Sequence, residues 1–201
     1  MTGYGGAVSH NPSRQRLPIF AASYWFIRFL MTLWAVLPAV ALAETSPGRC
    51  DELPAGGALD FWLGDWEVTD ANGDLVGTNR ITATLGGCAV QEHWTGTDGF
   101  EGRSLFYLHS WLGQWRQVWI TDSPQQPGSV KEKRQVMLFE GPGIRFRGEI
   151  MVSPEHYMQD RTTLTPLPDG RVHQLIEWSN NDGRIWQTGF EGWYRRVGPR
   201  Q

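Results

Sequence analysis

RSLFYLHSWLGQWRQVWIT, residues 103–121, decides the fold. Two runs rich in β-branched and aromatic residues flank Trp111-Leu112-Gly113. A strand sends alternate side chains to opposite faces. Ser104, Phe106 and Leu108 then share the inner face of the first run. Trp115, Gln117 and Trp119 share one face of the second, opposite Arg116, Val118 and Ile120. The stretch predicts an antiparallel hairpin with strands at 103–110 and 114–121.

Working outward, the pattern repeats in both directions. Strands are expected at 66–69, 75–85 and 88–95 on one side, and at 129–139, 144–152, 159–165, 172–178 and 185–196 on the other. Turn signals separate them: Asn72-Gly73, Gly86-Gly87, Gly141-Pro142-Gly143, Asp169-Gly170 and Asp182-Gly183, with a longer loop, DSPQQPG, at 122–128. No long helix intervenes; one short helical turn is expected through Leu59, Phe61 and Trp62. Many short strands at turn spacings of about 8–12 residues predict an all-β sandwich or barrel. A meander of roughly ten strands leaves two exposed edges unless it closes, which favours an antiparallel up-and-down barrel.

The chain has 201 residues, room for one domain or two small ones. It carries 18 Lys plus Arg against 21 Asp plus Glu, a net charge of −3. Residues 1–43 contain Arg14, Arg16 and Arg28 and no acid, so the remainder is more acidic still. That balance disfavours nucleic acid as a partner, which needs basic surface, and disfavours docking on an anionic membrane. Of eleven Trp, nine follow residue 43, and the only two lysines are Lys131 and Lys133.

Residues 29–43, FLMTLWAVLPAVALA, are uncharged, follow Arg28 and end in the small-residue pattern Ala41-Leu42-Ala43. This reads as a secretory signal with an extended n-region, cleaved after Ala43. The apolar run is shorter than the ~20 residues of a spanning helix. The domain plan is therefore a signal at 1–43, a Pro-, Gly- and Ala-rich lead-in at 44–58 and the barrel at 59–201. The product is expected to be periplasmic or secreted, with no stable membrane insertion once the signal is gone. In such a compartment the two remaining cysteines, Cys50 and Cys88, are expected to form a disulfide.

Several motifs together resemble a bacterial family known as domain of unknown function 1579. They are Phe61-Trp62-Leu63-Gly64-Asp65-Trp66-Glu67-Val68, Leu85-Gly86-Gly87-Cys88-Ala89-Val90-Gln91-Glu92-His93-Trp94, Trp115-Arg116-Gln117-Val118-Trp119, Thr165-Pro166-Leu167-Pro168-Asp169-Gly170 and Gly192-Trp193-Tyr194-Arg195-Arg196. The resemblance implies a lipocalin-like (calycin-like) barrel and no established activity. The chain departs from the family pattern at His93, at Leu164 and in the 122–128 loop. Gly64-Asp65-Trp66 also looks like the Gly-x-Trp that opens lipocalin barrels, where an Arg from the last strand covers the Trp; Arg195 or Arg196 is placed for that structural role.

Nucleophile-elbow, zincin, phosphate-loop and Cys-x-x-Cys patterns are absent. The mature histidines (His93, His109, His156, His173) are scattered, so neither a metal nor haem is expected, and no cofactor is assigned. The informative cluster mixes aromatic and polar residues on common strand faces: Glu92 with Trp94, Gln117 with Trp115 and Trp119, and Gln174 with Val172, Ile176 and Trp178. A polar group in an apolar row needs a partner, and small-ligand pockets have this composition. Glu92, Trp94, Trp115, Gln117, Trp119 and Gln174 are thus expected to line a cavity that binds a small apolar or aromatic molecule. Two alternatives stay open: an isomerase- or cyclase-like barrel enzyme with Glu92 as acid/base, and an envelope-structural or protein-interaction module with a filled core.

Overall fold

The computed structural model describes residues 48–124 and 126–198; the segment read as a secretory signal lies outside them. Ten antiparallel strands close into one up-and-down barrel: β1 (Gly64–Thr69), β2 (Leu75–Thr84), β3 (Ala89–Gly96), β4 (Glu101–His109), β5 (Gln114–Thr121), β6 (Val130–Gln135), β7 (Ile144–Ser153), β8 (His156–Pro166), β9 (Val172–Ser179) and β10 (Gln187–Arg196). Every strand pairs with its neighbours in sequence, and β1 pairs with β10, Trp66 opposite Arg196, so no edge is left open. The deciding hairpin forms in the expected register, with Phe106 opposite Gln117 and Leu108 opposite Trp115.

Period-two alternation sorts the side chains as the sequence predicts. Val90, Glu92, Ser104, Phe106, Trp115, Gln117, Val172 and Gln174 are buried. The outer faces carry ion pairs instead, such as Arg161 with Glu177 at 2.5 and 2.8 Å and His173 with Glu191 at 2.8 Å. Several strand limits differ from expectation, β1 and β4 each beginning two residues earlier, at Gly64 and Glu101. The strand expected through Phe139 stops at Gln135, leaving Met137 and Leu138 exposed, while β8 begins at His156 and β10 at Gln187. Apolar side chains in the 136–139 turn look like a strand to any reading based on residue type, but no partner strand runs alongside them.

One end of the barrel is filled. The lead-in forms two short 3₁₀ helices, Cys50–Glu52 and Gly56–Trp62, the second being the expected helical turn. Leu59 and Trp62, both 0 % exposed, join Trp66, Ile81, Phe106, Phe146, Leu164 and Tyr194 in the core. The rings meet edge to face: Trp62 lies 5.5 Å from Phe106 and 6.0 Å from Tyr194, and Phe106 lies 5.3 Å from Phe146. A Cys50–Cys88 disulfide spanning 38 residues ties this segment to the start of β3.

The lipocalin-like closure is made by Arg196, not Arg195. The Arg196 guanidinium stands 4.1 Å over the Trp66 ring and donates to the Leu63 carbonyl. The Trp66 indole donates to the Trp62 carbonyl at 2.8 Å. Gly64 has φ +133°, and a Cβ there would overlap the Arg196 guanidinium, so glycine is required twice over. Arg195 points outward and pairs with Glu67, as alternation along the strand demands.

Candidate functional site

The other half of the barrel is hollow. A cavity of about 520 Å³ opens among the β3–β4 and β5–β6 loops, within the range of about 300–1,000 Å³ usual for small-molecule sites. Five of the six expected residues line it: Glu92, Trp94, Gln117, Trp119 and Gln174. Trp115 does not. It is fully buried at the filled end, and its indole N–H donates to the Ala55 carbonyl at 2.7 Å. It shares a face with Gln117 and Trp119, but it sits one step further down the barrel, below the cavity. Gln126, Pro127 and Gly128 of the 122–128 loop lie at the mouth. None of the four histidines lines the cavity, and the described residues contain no cluster of metal-ligating side chains.

The space is kept open by pairing each large ring with a glycine. Trp94 lies over Gly77, Trp119 over Gly102, and Trp178 over Gly189. A Cβ at any of these glycines would stand under 3.0 Å from the neighbouring indole. Each indole therefore packs against the backbone of an adjoining strand where any side chain would collide with it. Phe190 adds an edge-to-face contact with Trp94, ring centres 5.9 Å apart.

A polar layer forms the floor between the aromatic core and the cavity. Asn79 donates to Glu92 Oε1 at 2.8 Å and reaches Tyr194 Oη at 3.4 Å. Tyr194 Oη donates to Gln174 Oε1 at 2.6 Å. Gln117 Nε2 donates to Ser104 Oγ at 3.0 Å. Burial raises the Glu92 carboxyl above its ordinary range, against the opposing pull of Ser104, Asn79, Lys133 and Lys131. Burial also lifts the Tyr194 hydroxyl well above its usual value, so it remains a donor. Three buried atoms of this floor, Asn79 Oδ1, Glu92 Oε2 and Gln117 Oε1, have no protein partner. Leaving such groups unmatched costs about 1–3 kcal/mol each.

The most highly charged feature was invisible to the reading of strand faces. Lys131 and Lys133 of β6 both point inward, with side chains 11 % and 2 % exposed. Both pair with Asp160 of β8, which is completely buried: Lys131 Nζ donates to Oδ2 at 3.0 Å, and Lys133 binds Oδ1. Lys133 also donates to Thr162, and the Trp178 indole donates to Asp160 Oδ2 at 3.0 Å. The two ammoniums hold the Asp160 carboxyl below its usual range despite burial. Desolvation draws Lys133 down to about 8 even with Asp160 beside it. Both lysines line the cavity, and Asp160 lies behind them. The available signal was compositional: the chain's only two lysines stand two residues apart in one strand.

No family model matches the chain. A curated human (Homo sapiens) protein, killer cell lectin-like receptor subfamily G member 2, is similar over 128 residues at 27 % identity, a match spanning 58 % of this chain and 29 % of that protein. The chain thus covers less than a third of that relative's length, and the match assigns it to no family.

Proposed function

We propose that this protein is an exported β-barrel, periplasmic or secreted, that holds a small apolar or aromatic molecule in its open half, and that it is a member of the bacterial family whose motifs it resembles. The observation that carries the binding reading is the set of three indoles laid over glycines around a cavity of about 520 Å³. A barrel built only as a scaffold would fill that volume with side chains, as the opposite half does. Flat aromatic walls favour apolar or planar occupants, and the floor amides would set their orientation. Export is supported by the Cys50–Cys88 disulfide and by the signal-like segment at 29–43. Among the described residues no helix is long and apolar enough to cross a membrane. Acid–base catalysis by Glu92 would call for a second titratable group bonded to it. Its neighbours Asn79 and Ser104 are an amide and a hydroxyl, so binding is the better-supported activity.

The test is a titration with the neutral apolar fluorophore N-phenyl-1-naphthylamine. Saturable one-to-one binding with energy transfer from tryptophan is expected. Gly102→Leu, which drives Trp119 into the lumen, should abolish it while the far-ultraviolet spectrum stays unchanged. Binding that does not saturate, or that survives Gly102→Leu in a folded protein, would defeat the reading.

A further inference from the structure

Two lysines that share one buried carboxylate line the cavity, and their placement points to a ligand class. Two ammoniums, Lys131 and Lys133, stand in the cavity wall, and one carboxylate, Asp160, serves both from behind. The only other acids on the lining are Glu92, on the floor, and Asp98, which lies at the exposed rim and accepts from the Phe100 amide at 3.1 Å. Lysines are seldom fully buried without equal counter-charge. Lys131 and Lys133 thus share a single carboxylate, which lies on the side away from the lumen. Glu92 itself is 4 % exposed, and its Oε2 has no protein partner.

We propose that the cavity selects amphipathic organic acids: one carboxylate accepts charge-assisted hydrogen bonds from Lys131 and Lys133, and the apolar body lies between Trp94, Trp119 and Trp178 toward the mouth. This deepens the binding function proposed above and rests on it. The geometry accounts for two otherwise unconnected facts. It explains why both lysines of the chain point inward. It also explains why Asp160 lies behind the ammoniums, since a carboxylate projecting into the lumen would repel the ligand. Charge-assisted hydrogen bonds in a water-poor site are about twice as strong as neutral ones. A carboxylate should therefore outcompete a neutral head of similar size.

The experiment displaces bound N-phenyl-1-naphthylamine with three ligands sharing one ten-carbon chain: decanoate, 1-decanol and decylamine. Decanoate is expected to bind at least tenfold more tightly than either partner. Lys131→Met should reduce decanoate to the level of decanol, each affinity being read relative to that of the fluorophore for the same variant. If Lys131→Met does not fold, Lys131→Gln provides the same comparison. Equal affinity for acid and alcohol would overturn the inference and leave the apolar binding reading standing. Tighter binding of decylamine would overturn it in favour of an ionised Glu92 as anchor. Failure of the fluorophore itself to bind would remove both.

Discussion

Replacing Asp160 by Asn is the most severe polar change the structure permits at nearly constant volume. The variant keeps the shape but withdraws the only carboxylate paired with Lys131 and Lys133. If both ammoniums stay charged, the broken buried pair costs about 3–5 kcal/mol. If one lysine sheds its proton, folding at pH 7 must drive the loss from an amine whose ordinary value is 10.5. At about 1.36 kcal/mol per pH unit that comes to about 5 kcal/mol. Wild-type Lys133, already lowered to about 8, bears about 3 kcal/mol of this. The increment on Lys133 is therefore small, and the rest of the loss falls on Lys131 and on the Trp178 indole left facing an amide. With both ammoniums charged the deficit is about 3–5 kcal/mol at pH 7, or roughly 6–20 °C in melting temperature for a domain of this size, whereas deprotonation of Lys133 alone would add only about 1–2 kcal/mol.

The sign of the pH dependence follows. A lysine whose folded value lies below its unfolded one penalises folding at low pH, and the penalty fades as pH climbs toward 10.5. At pH 9.5 the same deprotonation costs about 1 kcal/mol, so the deficit should largely close. Urea unfolding of the oxidised protein, followed by tryptophan fluorescence at pH 7 and 9.5, measures both quantities. Lys133→Met added to Asp160→Asn should recover more than half of the loss at pH 7. A variant within about 1 kcal/mol of wild type at pH 7, or an equal deficit at both pH values, would refute the buried-pair reasoning.

Glu92→Gln tests the floor. A carboxyl raised by burial stabilises the fold most fully below its unfolded value near 4.5, and that contribution fades as pH rises through the folded value. The groups acting on it are Ser104 of β4 and Asn79 of β2 by hydrogen bonds and Lys133 and Lys131 of β6 by charge, with Tyr194 of β10 beside it. Thermal melts should place the amide variant at or above wild type at pH 7 and below it at pH 4. The Asn79 bond should survive, because the Gln oxygen can still accept it. Reducing the Cys50–Cys88 disulfide should cost about 4 kcal/mol on the chain-entropy account, seen as a melting-temperature drop of roughly 8–16 °C in matched scans with and without a phosphine reductant.

The sequence carried the barrel because contrast carried it. In residues 103–121 and 172–178 apolar and polar side chains alternate, so the inner face can be named residue by residue, and ten such segments leave closure as the natural arrangement. The same logic found five residues of the cavity. It placed Trp115 there too, because alternation tells inside from outside but says nothing of height along the barrel. Height is set by strand stagger and by the 3₁₀ plug, which the sequence shows only as one helical turn. Lys131, Lys133 and Asp160 escaped for the opposite reason. In VKEKRQ both faces are polar, as they are around Asp160 in MQDRT, so no contrast marks the inner one. The glycine–tryptophan pairs were hidden in another way. Each joins residues on neighbouring strands, and only the register brings them together.

The stopper formed by Leu59 and Trp62 has a kinetic consequence. A barrel sealed at one end is a blind pocket, so whatever enters must turn back and leave by the mouth between the β3–β4 and β5–β6 loops. Such a vessel cannot work as a conduit, and a second molecule cannot push the first out from behind. Exchange has to wait for the occupant to depart. The lifetime of the complex, and with it the distance a carried molecule travels before release, is then set at the rim, where the 122–128 loop stands.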